Sequence, residues 1–387
     1  MTELPAILIG GPPHSGKSVL AYSLSQSLRT ENIPHYLLRA YPDGEGDWSN
    51  ESTPALAQSL RKKGVGDDRW VTAICRDIDH RHLPLLVDAG GRPTPAQEAI
   101  FSRCTHSILL APTPAALAEW RTIAARHHLI PIAEFYSLLR GENRLTRTAP
   151  VLHGTVSGLE RGTLAATGES INALLARLKT LITPVTLNLR AEHLAAAPAE
   201  TAIDMERLCR TLTGGMRWLP QHLPALLDYL PSETPLAIYG RAPGWIIAAL
   251  AHQALPAEFF RFDPRMGWVT PPPLAFGTPP ADAPLLTEIH PLPNARRLRF
   301  SIRADYLMQP TEPLSVPPIA GDGGIILDGK IPQWLMAALA RRYAAAPWLA
   351  VFQPQLNGAV VISTTKNSPK LGTHITHGGD ISIFGRD

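Results

Sequence analysis

The stretch that most limits what this chain can fold into is Ala6 to Ser18, AILIGGPPHSGKS. Its first five residues, apolar and closed by a glycine, read as a short buried strand. Gly11 to Ser18 then carries the spacing G-x-x-x-x-G-K-[ST], and Val19, Leu20, Leu24 and Leu28 follow near helical spacing. A strand, a glycine loop and a helix in immediate succession predict an α/β layer built on parallel strands. The residue types in the loop are chemically specific. Glycines let the backbone wrap so that successive N–H groups face one anion, and the helix N-terminus adds its partial positive charge. Lys17 reaches β- and γ-phosphates, and Ser18 ligates magnesium. Gly11, Gly16, Lys17 and Ser18 are therefore candidates for holding ATP, with Ser18 a candidate ligand of Mg2+.

The same grammar continues downstream. HLPLLVDAGGRPT, His82 to Thr94, is an apolar run ending in Asp88, where a protein with such a loop places its magnesium-side carboxylate. Asp88 also fits an ordinary turn before Gly90 and Gly91. HSILLA (His106 to Ala111) reads as another strand and PAALAEWRTIAARHH as another helix, so a doubly wound parallel sheet is expected. After the strand-like PHYLLRA comes YPDGEGDW, Tyr41 to Trp48, with Asp43, Glu45 and Asp47 on a glycine-rich loop. If PHYLLRA neighbours the first strand, Asp43 opens beside the terminal phosphate and can take a proton from an acceptor or water. As a tight turn, the same acids simply face solvent. DIDHRH (Asp77 to His82) imitates metal-ligand spacing, but without a paired cluster a structural metal is not expected.

Length and composition bound the rest. At 387 residues the chain exceeds one hydrophobic core, and 45% apolar residues suffice for two or three. A net charge of +3 does not mark a duplex-binding protein, and the runs Arg61 to Lys63 and Arg296 to Arg303 read as solvated faces. The three cysteines form no CxxC pair, which suits a reducing cytoplasm. With neither a basic leader nor an apolar run of roughly 18 residues, the expectation is a soluble cytoplasmic protein without a membrane partner. Prolines concentrate in TPPPLAFGTPPADAPLLTEIHPLPNARR, Thr270 to Arg297, which reads as a stiff, extended connector.

That connector separates two versions of one phrase. YGRAPGWIIAALAHQ (Tyr239 to Gln253) returns as DGKIPQWLMAALARR (Asp328 to Arg342). Gly240 falls on Gly329, Pro243 on Pro332, Trp245 on Trp334, and Leu250-Ala251 on Leu339-Ala340. Each is led by a short strand (LAIYG, GIILDG) and trailed by a second strand, EFFRFDPRMGWV (Glu258 to Val269) or PWLAVFQPQLNGAVVIS (Pro347 to Ser363). Two units are too few for a solenoid, so the expectation is two similar halves paired about a pseudo-twofold axis. The domains expected are 1–184, a P-loop domain, then 185–275 and 276–387, two small α+β modules forming a pseudo-dimer.

The phrase G-[RK]-x-P-x-W, followed by Leu250-Ala251-His252 and then Asp263-Pro264-Arg265-Met266-Gly267, resembles the third class of CRISPR-associated ring nucleases, Csx-type proteins of type III systems. Some members are fused to a P-loop domain. LRFSIRADYLMQPTEPLS, before the second phrase, is similar to the family's leading strands. The resemblance covers about 230–387 and, less firmly, the N-terminal half. It implies a role in antiviral defence through binding of cyclic oligoadenylate, with cyclic tetra-adenylate the expected ring, and its linearisation as a hydrolase. His252 and Asp263 would be catalytic, and Gly240, Arg241 and Arg265 would bind ligand. Arginine forks suit phosphates, as does the helix N-terminus near Gly244. An RNA ring can be opened by its own 2′-hydroxyl, so orientation and proton management suffice.

The sequence departs from the family pattern in both phrases. The family's other histidine would fall near Ala254 or Leu255, neither of which moves a proton. In the second phrase Ala344 stands there, Arg341 matches His252, Gln353 replaces the aspartate and Gln355 the arginine. Glutamines hydrogen-bond but carry no charge. The second half thus keeps what packing needs and lacks what chemistry needs. Three other readings stay open: both halves purely structural, with His252 a satisfied surface histidine; a small-molecule or nucleotide kinase, favoured by PDGEGDW and by LHGTVSGLERG with Arg161 as a lid-like cation; and a non-catalytic cyclic-oligoadenylate sensor regulated by ATP. Cyclic oligoadenylate and ATP are the expected partners, duplex nucleic acid is not, and homo-oligomers remain open.

Overall fold

The computed structural model describes residues 3–41, 68–91, 93–160, 168–303, 307, 310, 312–319, 321–365 and 369–376. The chain divides into two compact units, Met1–Glu192 with Pro264–Met266, and His193–Asp263 with Gly267–Asp387. Asp43, Glu45, Asp47, Arg61, Lys63 and Arg161 lie outside the described residues.

The first unit runs β1 (Ala6–Gly10), α1 (Lys17–Thr30), β2 (Tyr36–Ala40), α2 (Asp68–Asp79), β3 (Leu85–Ala89), α3 (Glu98–Phe101), β4 (His106–Ala111), α4 (Pro114–Arg126), β5 (Ile130–Leu138), β6 (Leu145–Arg147), β7 (Leu152–Ser157) and α5 (Glu169–Thr186). Its strands form one sheet in the order β2-β3-β1-β4-β5-β7-β6. Every pairing is parallel except β6 with β7. Side-chain alternation explains why AILIG is apolar throughout. Ile7 and Ile9 join Leu20 and Leu24 of α1 and Leu174 and Leu178 of α5 in one core. On the other face, a Cβ on Gly10 would meet the Trp120 ring of α4 at 2.9 Å. The sheet is thus covered on both faces, and each buried aliphatic contributes about 1.5–3 kcal/mol. Helix α4 starts sharply because the Thr113 side chain accepts from the Ala116 amide and proline takes the first turn.

One geometric premise of the sequence reading is not met. Strand β2, within PHYLLRA, does not pair with β1; β3 lies between them, so Asp88 rather than the end of β2 adjoins the first strand. Both strands are apolar and parallel, and nothing in their patterns tells which takes the inner place.

After α6 (Leu189–Ala195), the second unit contains β8 (Thr201–Asp204), α7 (Met205–Thr213), α8 (Leu223–Tyr229), β9 (Leu236–Tyr239), α9 (Gly244–Gln253), β10 (Phe259–Asp263), β11 (Gly267–Val269), β12 (Leu274–Phe276), β13 (Leu285–Leu292), β14 (Ala295–Ile302), β15 (Leu314–Val316), β16 (Gly324–Gly329), α10 (Gln333–Arg342), β17 (Trp348–Gln353), β18 (Gly358–Thr364) and β19 (His374–Thr376). A four-stranded sheet runs β11-β10-β9-β8 and a six-stranded sheet β13-β14-β16-β17-β18-β19. In the smaller sheet β8 and β10 flank β9 in parallel, and β11 returns antiparallel. In the larger sheet β14 and β17 flank β16 in parallel, and β18 returns antiparallel. Registers match as well: Arg261 pairs with Ile238, and Val351 with Leu327.

Two sequence expectations need correction. The trailing strand of each phrase is a hairpin, not one strand, broken at residues 264–266 and 354–357. Gly267 at φ 75° and Asn357 at φ 48° supply the left-handed residues these turns require. The proline-rich segment is also not a connector throughout. It holds β12, β13 and the start of β14, and β13 pairs with β14 from Leu285–Ile302 to Leu292–Ala295. Pro291 is tolerated because β13 is an edge strand with one unpaired side.

Candidate functional site

The loop between β1 and α1 is shaped by its glycines. Gly11 has φ 150°, and a Cβ there would lie 1.9 Å from the Leu110 carbonyl oxygen; Gly16 has φ 79°, and its Cβ would meet Leu159 at 2.5 Å. Lys17 begins α1 almost wholly buried, its Nζ donating to the Pro12 carbonyl at 2.8 Å. Burial pushes its pKa down to about 8, against the opposing pull of Asp88. Ser18 Oγ lies 3.5 Å from the Tyr41 hydroxyl.

Asp88, at the carboxyl end of β3, is fully buried and accepts from Arg39 Nη1 at 2.5 Å on Oδ2, while Oδ1 has no partner among the described residues. Ser15 Oγ is likewise buried and unpartnered among the described residues. Orphaned polar atoms of this kind are costly unless something completes them. The donor set of a lysine, a hydroxyl, a glycine-bent backbone and an unsatisfied carboxylate oxygen fits a phosphate with its magnesium. Gly11, Gly16, Lys17, Ser18 and Asp88 are therefore brought to one edge of the first sheet.

In the second unit, the paired phrases become two helices lying side by side in parallel. Gln333, the first residue of α10, donates from Nε2 to the Ala242 carbonyl just before α9, at 2.7 Å. At the other end, Arg341 donates to the carbonyls of Ala251 (3.0 Å) and Ala257 (2.9 Å). Both N-termini thus open on one side. Pro243 and Pro332 occupy the cap positions with nearly identical backbone, φ −57° with ψ 150° and 148°, and neither helix has a side chain capping its first-turn amides. Trp245 and Trp334 are each 1% exposed and anchor the two first turns.

The sheets deliver charge to the same side. β9 and β10 are parallel, so Asp263 ends its strand beside Gly240, which has φ 80°. Asp204, ending β8, lies opposite Tyr239 and caps α7 by accepting from Glu206 and Arg207 amides. Arg241 and Lys330 precede the two helices at matched positions. Beneath them Arg261 is buried, donating to Ile238 O (3.0 Å), Gly240 O (2.6 Å) and Gln333 Oε1 (3.0 Å). Burial pushes its pKa down to about 10, partly offset by Asp263. Arg261 and Gln333 therefore tie the Gly240 turn to the start of α10. Neither was singled out by sequence reasoning. The spacing that pairs Pro243 with Pro332 would have paired Arg241 with Lys330 and marked Gln333 as adjacent.

Gly240, Arg241 and Asp263 are thus gathered at one edge. His252 is not with them. It lies on the last turn of α9, a ten-residue helix spanning about 15 Å. Its Nε2 is buried without a partner among the described residues, and burial holds its pKa below the usual histidine value, against the raising effect of the Ala344 backbone. Arg265, on the hairpin tip that groups with the first unit, places Nη1 3.7 Å from Asp77 Oδ2.

At the corresponding edge of the larger sheet, Gln353 pairs with Gly358 as Asp263 pairs with Gly267, so the hairpin register sets the glutamine in the aspartate's place. Gln353 there hydrogen-bonds Gln355. The charge at this edge comes instead from buried Asp328, which accepts from Arg297 at 2.8 Å.

A family model described as CRISPR-associated protein (Cas_csx3) matches residues 302–376. The match begins at the end of β14 and runs through α10 to β19, so it falls on the larger sheet and its helix. It supports a CRISPR-associated protein of the Csx type. Among the described residues no helix is long and apolar enough to cross a membrane.

Proposed function

We propose that the second unit binds a cyclic oligoadenylate, with cyclic tetra-adenylate the expected ring, at the edge where the N-termini of α9 and α10 open together. The observation that carries this reading is the parallel pairing of the two helices through Gln333–Ala242 and Arg341–Ala251. Two helix N-termini on one side, each preceded by a cation at a matched position, suit a ligand with phosphates repeated about a twofold axis. The two phrases with their sheets form a pseudo-dimer in this reading, and the family match on the larger sheet adds support. Asp263 would receive the proton of a 2′-hydroxyl attacking its adjacent phosphate, with Arg241 on that phosphate; the P–O5′ bond breaks to leave a 2′,3′-cyclic phosphate, and the departing 5′-oxygen takes a proton from water. His252, at the opposite helix ends, has no part in that step. Its placement favours a second reading, a sensor that binds the ring without cutting it.

The first unit binds ATP with magnesium in the same account. Lys17 and the loop amides would hold the phosphates, and Ser18 and Asp88 would hold the metal directly or through water. The bound metal would offset phosphate charge. The protein's own part is to release Asp88 from Arg39 and to keep Lys17 protonated against burial.

The test is incubation of the purified protein with labelled cyclic tetra-adenylate, with and without ATP and magnesium, and separation of products. Linear products that disappear in Asp263→Asn establish ring cleavage. Retained but uncut ring establishes the sensor, and an absence of binding refutes both. Lys17→Ala should abolish ATP binding and leave ring binding measurable.

A further inference from the structure

The end of β2 reaches both residues proposed to hold magnesium. β2 and β3 pair in parallel with Arg39 opposite Asp88, so the two side chains leave neighbouring strands on one face of the sheet. Arg39 Nη1 donates to Asp88 Oδ2 at 2.5 Å and lies 3.5 Å from the Ser18 carbonyl oxygen. Just past the strand, the Tyr41 hydroxyl lies 3.5 Å from Ser18 Oγ. Strand order brings this about. With β3 between β1 and β2, the arginine of the outer strand stands beside the carboxylate of the inner one.

Burial gives this ion pair its weight. The Asp88 side chain has no exposure and that of Arg39 only 10%. A carboxylate so placed needs a charge partner, because an uncompensated buried charge is far costlier than an exposed one. Lys17 also acts on Asp88, but its Nζ donates to the Pro12 carbonyl. Arg39 is therefore the cation in direct contact. Asp88 reaches a metal, or a water on one, only by turning, and the Arg39 bond is the one that the turn breaks. A divalent ion and a guanidinium on one carboxylate also repel each other.

From this arrangement, and resting on the reading that the first unit binds ATP with magnesium, we infer that Arg39 is a positioning residue that competes with magnesium for Asp88. It sets how strongly magnesium tightens nucleotide binding at this edge. With Arg39 in place, part of the metal's attraction to Asp88 is spent on breaking the ion pair, so the nucleotide's dependence on magnesium is shallow. An arginine that served packing alone would alter stability and leave that dependence unchanged.

The experiment measures binding of N-methylanthraniloyl-ATP to the full chain by fluorescence, in EDTA and at saturating magnesium, and takes the ratio of the two dissociation constants. The ratio should rise about tenfold in Arg39→Met, the scale on which groups behind a metal ligand tune its affinity. It should rise by a smaller factor in Arg39→Lys, which keeps a cation, and with it the fold, but lacks the planar fork. Arg39→Met leaves a buried carboxylate unpaired, so the Arg39→Met/Asp88→Asn variant, which removes both partners, is compared with Asp88→Asn alone. Those two should give the same ratio. A ratio that fails to rise in Arg39→Met or Arg39→Lys, or that still rises with Arg39→Met in the Asp88→Asn background, would overturn the inference and leave the ATP reading standing. No binding of the analogue to the wild type under either condition would overturn both.

Discussion

The four-stranded and six-stranded sheets of the second unit share their central strand order, their hairpin register and the backbone of their helix starts, yet they differ in what they place at the carboxyl edge. The smaller sheet sets a buried arginine, Arg261, beneath Gly240 and ends β10 in Asp263. The larger sheet has Val351 and Gln353 at those register positions, and its buried charge is the Asp328–Arg297 pair. What both keep is the proline cap and the tryptophan. The difference separates two demands on one scaffold. Packing constrains the helix and its anchor in both sheets, whereas charge at the edge is free to change in one of them.

The anchors give the largest expected effect. Trp245→Ala and Trp334→Ala should each cost about 3–5 kcal/mol by urea unfolding, as large aromatic truncations in cores do. A loss near zero for either would break the equivalence of the two helix starts. Next comes Arg261→Met, which strips donors from Ile238 O, Gly240 O and Gln333 and should cost about 3 kcal/mol. Val351, the register counterpart, carries no such network, so Val351→Ala should cost only about 1 kcal/mol; equal losses would show that Arg261 acts only as packing.

The smallest effect compares His252 with Arg341, which occupies the matching position in the second phrase. Burial lowers the His252 pKa in the folded chain, so the unfolded chain takes up its proton first as pH falls. Stability from this group is complete above the unfolded value near 6.5 and declines as pH drops toward the folded pKa. His252→Gln should flatten that part of the pH–stability curve, and Arg341→Gln should flatten it only in part, because burial is the larger cause of the shift and the Arg341 charge the smaller. A slope unchanged by His252→Gln would remove the histidine from the account.

Much of this was legible in the sequence because it rested on local pattern. The apolar run before Gly11, the loop glycines, Asp88 at the end of a buried strand, and the doubled proline and tryptophan each follow from residue type and spacing. What was not legible depended on partners far along the chain. The place of β3 between β1 and β2 is a matter of which parallel strand packs inward, and both read alike. The strand pairing inside the proline-rich segment needed an edge to tolerate Pro291. The family resemblance put His252 with Asp263, but a helix runs between Gly240 and His252 and carries the histidine to the opposite end. Gln333 and Arg261 were missed because a hydrogen-bond chain between two phrases has no sequence signature of its own.

The most direct test of the shared ligand edge is calorimetric titration of labelled cyclic tetra-adenylate into the intact protein, Arg241→Ala and Lys330→Ala. The account predicts one ring per chain, with affinity reduced in both variants, because each helix start faces the same ligand. Two rings per chain, or a ring whose affinity ignores Lys330, would contradict it.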